Sequence, residues 1–239
     1  MRISHKYKFI FIAIPRTGSF AVREALSPFS QIRGTADNPF YYHMTAAELK
    51  TLFARRGWDF GAYFKFSFVR NPWTRLLSQY RVIQKKNYWK FPVRQDYGFS
   101  EWCFKSPGEY RRLVCSPAVF FNRHFRRGTD RGHYESQIRH LENLWKDQTH
   151  WVFDQNGQSL VDYTGRYENL QEDFDQVCRR IGVSPRRLEH FDIAGEVPSA
   201  GRDLEFHQSF NEDLPAHLDL LFKRDMENFG YSPVLQRHS

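Results

Sequence analysis

Apolar residues follow two alternating patterns along the chain, short unbroken runs and stripes at helical spacing. The runs at 8–14 and 63–69 are rich in Phe and Ile, and each predicts a buried strand. A helical stripe follows each run, at about 20–30 and 72–88. Because strands that alternate with helices form a largely parallel sheet, the pattern predicts an α/β chain with three layers, α/β/α, and a mostly parallel central sheet.

Capping signals mark three further helices. Thr45 and Glu48 are spaced as a capping box at the start of a helix over about 45–56. Two more apolar stripes are followed by glycine, which ends helices by adopting a left-handed conformation. These stripes predict helices over 169–181, before Gly182, and over about 212–229, before Gly230.

The middle of the chain carries weaker signals. Short apolar stripes in this part predict helices near 99–105, 108–114 and 135–145, with a basic loop at 123–133. The Asn156-Gly157 turn signal separates two apolar runs, which predicts tightly joined strands at 151–154 and 159–165. No repeat, low-complexity tract or linker interrupts the sequence, so we predict a single domain over 1–239.

The turn after the first predicted strand carries a cation and small residues. Residues 14–19 read IPRTGS, and an amphipathic stretch begins directly after them. The first N–H groups of a helix are unpaired and its dipole favours negative charge there, so this order of elements predicts a phosphate-binding loop. A Walker A loop has Lys and then a hydroxyl residue directly after its last Gly. Here Ser19 and Phe20 follow Gly18, so the loop is poorly suited to ATP hydrolysis.

A second anion site is predicted where the second strand ends. Asn71 can cap the following helix and Pro72 can begin it. Ser78 lies about two turns after Asn71 and shares its side of the helix, with Arg75 between them. Arg70, Arg75 and Ser78 can therefore converge on one anion at the carboxyl edge of the sheet, where open α/β sheets bind ligands. The alternative is an arginine paired on the surface and a solvated serine.

Together the two segments resemble the signature of one enzyme family. Residues 14–19 resemble the P-K-T-G-G-T/S loop that holds the 5′-phosphosulfate in sulfotransferases using 3′-phosphoadenosine 5′-phosphosulfate (PAPS). Residues 68–80, FVRNPWTRLLSQY, resemble their 3′-phosphate motif, F-V-R-N/D-P-x-x-R-x-x-S-x-Y, nearly letter for letter. The spacing fits the group of heparan 2-O and chondroitin/dermatan sulfotransferases and their stand-alone bacterial relatives. With further similar pieces at 165–170 and 225–231, the resemblance spans about 8–231 and implies a P-loop-like sulfotransferase fold.

The resemblance implies PAPS as the donor and adenosine 3′,5′-bisphosphate (PAP) as the product. It assigns cofactor-binding roles to residues of both segments: Arg16, Thr17, Gly18, Ser19, Phe20 and Ala21 at the 5′ end, and Arg70 and Ser78 at the 3′-phosphate. Arg16 would also be catalytic by neutralising the oxygen that bridges phosphorus and sulfur. The first loop departs from the family at Arg16, usually Lys, at Ser19, usually Gly, and at the usual hydroxyl pair after it. The planar guanidinium of arginine is not equivalent to an ammonium group.

Transfer to a hydroxyl also needs a base to take its proton, and an imidazole suits this role near neutral pH. His43 lies between the two anion motifs, directly before the capped helix, and the resemblance places the family's catalytic histidine there. The alternative is that His43 flanks the helix and makes only a structural hydrogen bond. Other histidines with possible acceptor-site or structural roles are His133, His140 and His207. We expect Glu168 to anchor the fold rather than to transfer protons.

Charge and composition restrict the kinds of ligand and partner that we expect this protein to bind. The net charge of +8 favours anionic ligands, because the field in a basic cleft concentrates anions. We therefore expect a small-molecule or carbohydrate acceptor that is itself anionic. The sequence contains no recognisable nucleic-acid module, and no His or Cys cluster has the spacing of metal ligands, so neither nucleic acid nor metal is expected.

The three cysteines are odd in number and unpaired in spacing, which indicates a reducing compartment. No apolar run approaches the ~20 residues of a membrane span, and no signal-peptide pattern is present. The sequence therefore predicts a cytoplasmic enzyme, and the resemblance, whose Golgi members carry an N-terminal anchor, implies a bacterial source. Two other functions stay open: a P-loop-like kinase acting on a nucleotide or small metabolite, and a non-catalytic binder of adenosine bisphosphate or anionic glycans.

Overall fold

The computed structural model describes residues 1–35, 39–85, 98–104, 143, 145–189 and 213–232. The chain divides into two units, one formed by 1–71 with 148–191 and the other by 72–147 with 192–239. The single sulfotransferase domain over 1–239 stays a prediction.

Five strands form one sheet in the first unit: β1 (Arg2–Ser4), β2 (Phe9–Ile12), β3 (Ile32–Arg33), β4 (Phe64–Val69) and β5 (Tyr163–Arg166). Their order across the sheet is β3-β1-β2-β4-β5. The strands β2, β4 and β5 are parallel neighbours, whereas β1 is antiparallel to both β2 and β3. Among these five strands, therefore, β1 alone runs against the others. This confirms a mixed α/β fold with a mostly parallel sheet.

The helices of the first unit are α1 (Ser19–Leu26), α2 (Ala46–Arg55), α4 (Thr149–Val152) and α5 (Leu170–Ile181). Those of the second unit are α3 (Pro72–Lys85), α6 (Leu214–Leu221) and α7 (Lys223–Phe229), and residues 99–104 are also helical. The predicted capping box at the start of α2 is confirmed, because the Thr45 side chain accepts from the Glu48 N–H and the Glu48 carboxylate accepts from the Thr45 N–H. The predicted end of α5 at Gly182 is confirmed by its left-handed φ of 71°.

The core of the first unit lies against β2 and β4. All four residues of β2 are fully buried, and successive side chains of a strand point to opposite faces, so both faces of this strand are covered. On one face the phenylalanines of β2 and β4 pack against Val22 and Leu26 of α1 and Phe174 of α5. This packing fixes the position of α1, and with it the turn that leads from β2 into α1.

The second unit is built on the apolar stripe of α3. Of the stripe predicted from helical spacing, Trp73, Leu76 and Leu77 are buried, and Tyr80 is partly buried against the same cluster. The stripe packs in one cluster with residues of the 99–104 helix, α6 and α7: Phe99, Trp102, Cys103, Leu214, Leu218, Phe222 and Met226.

Several predicted elements differ from the structure. The predicted strand at 151–154 is wrong, because Trp151 and Val152 belong to α4. The tight turn predicted at Asn156-Gly157 is present: Phe153 and Ser159 form an antiparallel bridge, and the N–H groups of Asp154 and Leu160 donate to the carbonyls of Gln158 and Val152 at 2.9 and 2.7 Å. The strand predicted after this turn is shorter than expected, at Tyr163–Arg166. The single helix over 212–229 is also wrong, because the chain breaks at Phe222 between α6 and α7.

Two strands were not predicted, and some predictions lie outside the described residues. The strands β1 and β3 are too short for an apolar period to be recognised, at three and two residues. The helix near 99–105 is confirmed over 99–104. The helix at 108–114 and the basic loop at 123–133 lie outside the described residues, as does the predicted helix at 135–145 up to residue 142.

Candidate active site

The chain turns sharply between β2 and α1. Arg16 and Gly18 both have left-handed backbone conformations, with φ of 69° and 72°. Gly18 caps the N-terminus of α1, and a Cβ at this position would lie 2.5 Å from Cδ2 of Leu170. Glycine is therefore required both for its φ and for the close packing of the turn on α5. The predicted order of strand, turn and helix N-terminus is present, and the first turn of α1 directs its N–H groups away from the helix at this edge of the sheet.

Backbone groups carry the anion-binding potential of this loop. Thr17 is fully buried, and its hydroxyl donates to the carbonyl oxygen of Ile14 at 3.1 Å. A hydroxyl has a single proton to donate, so Thr17 can offer an anion its N–H but not its hydroxyl proton. Ser19 and Ala21 are buried at the start of α1, whereas the ring of Phe20 is exposed. The loop therefore offers the N–H groups of the first helical turn and the half-buried Arg16 side chain.

Arg70 is fixed at the end of β4 through both its backbone and its side chain. The buried amide of Gln148 accepts from the Arg70 N–H at 2.8 Å and donates to the Arg70 carbonyl at 2.7 Å. The guanidinium carbon of Arg70 lies 4.1 Å from the ring centre of Tyr167, and Nη1 lies 3.5 Å from the carbonyl oxygen of Arg16. Because β2 and β4 are parallel neighbours, the two predicted anion-binding segments meet at one edge of the sheet.

The segment after β5 supports this edge. The N–H of Asn71 donates to Oε1 of Glu168 at 2.7 Å, so the backbone that follows Arg70 is held by the Arg-Tyr-Glu-Asn element. This contact supports an anchoring role for Glu168, which stays a prediction. Tyr167, beside it, places its ring under Arg70 and against Gly18.

His43 lies at the same edge, next to the end of β2. Its Nδ1 is 2.7 Å from the carbonyl oxygen of Ala13, and its own carbonyl accepts from Nε1 of Trp151 at 3.0 Å. A carbonyl oxygen can only accept, so Nδ1 carries the proton in this hydrogen bond. In the neutral imidazole Nε2 is then the basic nitrogen. His43 is partly exposed, and the Ala13 carbonyl that it contacts lies three positions before Arg16 in the chain.

Two residues of the second motif belong to α3 and the second unit. Arg75 is buried, its Nη2 donates to the carbonyl of Lys146 at 2.6 Å, and its guanidinium carbon lies 5.7 Å from the ring centre of Phe222. These contacts belong to the packing of that unit, and a role for Arg75 at an anion stays a prediction. Ser78 is partly exposed on α3, and its role at the 3′-phosphate stays a prediction.

The sequence did not identify the residues that position the candidate site. Gln148 and Trp151 carry no local motif, and each contacts a residue many positions away in the chain. Tyr167 lies in the family-like segment 165–170, so the resemblance could have identified it. The alternative histidines at 133, 140 and 207 lie outside the described residues.

Comparison with known proteins identifies the family. The family model described as "Sulfotransferase family" matches residues 1–232. No curated protein and no solved structure gives a significant match to this chain. In the described ranges no helix has both the length and the apolar character needed to span a membrane. The chain belongs to the sulfotransferase family.

Proposed function

We propose that this sulfotransferase moves a sulfuryl group from PAPS to a hydroxyl of an anionic carbohydrate, with His43 as the general base. The observation that carries the proposal is the hydrogen bond from His43 to the Ala13 carbonyl. It fixes the tautomer in which Nε2 is basic, at the edge of the sheet where the Arg16 and Arg70 segments meet.

The residues at this edge fit the two ends of the donor. The N-terminus of α1 suits the 5′-phosphosulfate, because its N–H groups and dipole favour an anion and a Cβ at Gly18 would not fit the turn. Arg70 suits the 3′-phosphate, since a guanidinium pairs well with phosphate oxygens. The motif adds Ser78 as the second ligand of that phosphate. The strand–turn–helix unit on parallel strands also supports a three-layer, P-loop-like arrangement.

The chain contributes positioning, charge and one proton acceptor. When bound, PAPS supplies a sulfuryl group whose bond to the 5′-phosphate breaks as the acceptor oxygen attacks. His43 takes the hydroxyl proton at Nε2, which increases the charge on the attacking oxygen. The Arg16 side chain offsets the negative charge that develops on the phosphate left behind. PAP is then released, and the sulfated acceptor keeps the transferred group.

The nature of the acceptor follows from charge. The net charge of +8 favours a saccharide that carries carboxylate or sulfate groups over a neutral one. A cytoplasmic location and a bacterial source stay predictions of the sequence.

Donor labelled with radioactive sulfur tests the proposal. The protein is incubated with labelled PAPS and a panel of uronate-containing and neutral saccharides, and label in the saccharide fraction is counted. We expect transfer to a uronate-containing member, and none with a His43→Ala variant of equal thermal stability. Label that stays entirely in PAPS, together with magnesium-dependent turnover of ATP, would contradict the proposal and favour the kinase alternative.

A further inference from the structure

Arg23 lies on α1, one turn after the first residues of the helix, and no carboxylate in the described part of the chain forms an ion pair with it. Its Nε donates to the carbonyl of Ser19 at 3.2 Å. Its Nη1 is buried and has no hydrogen-bond partner in the described part of the chain. Burial, with the neighbouring cation of Arg2, lowers the pKa of Arg23 to about 10.

Arg2 provides a direct comparison within the same unit. Arg2 is also buried, but its Nη2 pairs with Glu24 at 3.2 Å and with the hydroxyl of Ser27 at 2.9 Å. Arg2 is therefore satisfied by the fold, as a structural arginine is expected to be. Arg23 has no such ion pair. Tyr42 and Glu24 offset only part of the cost of burying its cation, which is unfavourable for stability. An anion that binds there would supply the missing partner.

Two exposed aromatic rings flank Arg23. Its guanidinium carbon lies 4.6 Å from the ring centre of Tyr42 and 5.8 Å from that of Phe20. The exposed fractions of these residues are 41% for Tyr42 and 37% for Phe20. Exposed aromatic faces next to one charged group are a combination found in sites for small polar ligands.

The position of this cluster links it to the proposed chemistry. Tyr42 directly precedes His43, the proposed base, and Phe20 belongs to the first turn of α1, at the loop proposed to hold the donor. A group bound at Arg23 would therefore lie beside the base rather than at a remote surface. The hydroxyl to be sulfated must also come to His43, so the acceptor is the ligand that this cluster would meet.

On the basis of the proposed function, we propose that Arg23, Phe20 and Tyr42 form an acceptor subsite that binds a carboxylate or sulfate group of the sugar. Arg23 pairs with the anionic group, and the rings of Phe20 and Tyr42 contact the sugar. The subsite selects acceptors that carry an anionic group near the hydroxyl to be sulfated.

Matched acceptors test this subsite. Uronate-containing oligosaccharides are each compared with their methyl esters, which lack the charge but keep the hydroxyls. Arg23→Met retains an unbranched side chain between the rings and removes the charge. The control is Arg55→Ala, which removes the same charge from an exposed position on α2. KM for acceptor, KM for PAPS and the affinity for PAP are measured for all three proteins, together with their melting temperatures.

We expect the wild type to prefer the charged acceptors and Arg23→Met to raise KM for them by roughly 10- to 100-fold, the range for a lost hydrogen bond to a charged group. KM for the methyl esters and PAP affinity should change little, the melting temperature should stay equal or rise because a desolvated cation is removed, and Arg55→Ala should behave as the wild type.

Three outcomes would overturn the subsite: no preference for charged acceptors, an equal change for both members of a pair, or a rise confined to KM for PAPS. The last would assign Arg23 to the sulfate of the donor. Failure of the proposed function is seen separately, as absence of PAP binding and of transfer to any acceptor.

Discussion

At the scale of single residues, Arg70 is the most constrained member of the candidate site. Its backbone is held by Gln148 and its guanidinium lies over Tyr167, so little conformational entropy is lost when it binds a phosphate. We expect Arg70→Ala to weaken PAP binding by about 2–4 kcal/mol, the value of one or two charge-assisted hydrogen bonds. Binding of AMP, which lacks the 3′-phosphate, should change little. Titration calorimetry with both nucleotides measures the difference.

The control for Arg70 is again Arg55→Ala, which should bind PAP as the wild type does. If the wild type binds PAP and AMP with equal affinity, the assignment of Arg70 to the 3′-phosphate is wrong.

Substitution of Arg16 tests whether the loop between β2 and α1 stabilises charge in the transition state. Charge on the bridging oxygen grows as the sulfuryl group leaves, so Arg16→Ala should lower kcat more than it weakens PAP binding. Arg16→Lys should recover much of the rate, because it keeps a cation. Stopped-time assays of kcat and calorimetry of PAP give the two quantities.

The left-handed backbone at Arg16 requires a separate control, since φ is 69°. Arg16→Gly relieves any backbone strain and removes the charge, so it should be as slow as Arg16→Ala. A variant that only raises KM for PAPS would mark Arg16 as a ground-state contact.

Variants of His43 distinguish a catalytic role of this residue from a structural one. His43→Ala should lower kcat by roughly 10²–10⁴-fold, the contribution of a general base, and leave PAP binding nearly intact. Below the pH range in which an imidazole takes up a proton, Nε2 is no longer basic, so the wild-type rate should fall towards acid pH. This acid limb should be absent from the variant. A pH profile of kcat measures both effects.

His43→Asn distinguishes the two roles further. Its amide can donate to the Ala13 carbonyl as Nδ1 does, but it is not a base at neutral pH. It should therefore be as stable as the wild type but as slow as His43→Ala. Recovery of activity in this variant would show that His43 has only a structural role.

At the scale of elements, the turn into α1 depends on close packing as well as on backbone conformation. Gly18 and Gly182 have nearly equal φ, 72° and 71°, but only Gly18 has a side chain within reach of an added Cβ. Gly182→Ala should therefore cost about 1–2 kcal/mol for the left-handed backbone alone. Gly18→Ala should cost about 1–3 kcal/mol more, because Leu170 must move. Urea unfolding monitored by circular dichroism measures both.

The same pair of variants separates stability from function. Gly18→Ala should also weaken PAP binding, since the N–H groups of α1 shift, whereas Gly182→Ala should not. Equal losses of stability in the two variants would show that the contact with Leu170 does not constrain the turn.

Elements set by local rules were predictable from the sequence. The capping box of Thr45 and Glu48 and the end of α5 at Gly182 depend on residues within one turn, so sequence alone located them. Trp151 and Val152 were read as strand because their apolar side chains suit either structure, but in the fold they belong to the short helix α4. The break at Phe222 between α6 and α7 likewise leaves no mark in the apolar spacing.

Some residues of the candidate site were likewise predictable from the sequence, and others were not. Arg16, Arg70 and His43 were named from motifs that are contiguous in sequence. Gln148 and Trp151 could not be, because they act through hydrogen bonds that span 78 and 108 positions of the chain. Such partners are chosen by the fold and not by local propensity.

At the scale of the whole molecule, each unit has one buried cysteine whose reactivity can be used to follow its unfolding. Cys178 lies in the core of the first unit and Cys103 in that of the second. Burial raises the pKa of Cys178 to about 11 and raises that of Cys103 as well. Because a thiolate is the reactive form, neither should react with a thiol reagent in the native protein at pH 8. For Cys178 this resistance should persist until the pH approaches 11.

Labelling these thiols in urea tests the prediction of a single domain over 1–239. In a Cys115→Ser background only Cys103 and Cys178 remain, and the modified peptides are quantified separately by mass spectrometry. If the chain unfolds as one cooperative domain, both thiols become reactive at the same urea concentration, because neither core survives the loss of the other. PAP should move both midpoints together, since a ligand of the native state stabilises everything that unfolds with its site. Two separate midpoints, with only that of Cys178 shifted by PAP, would show that the unit with the candidate site unfolds on its own.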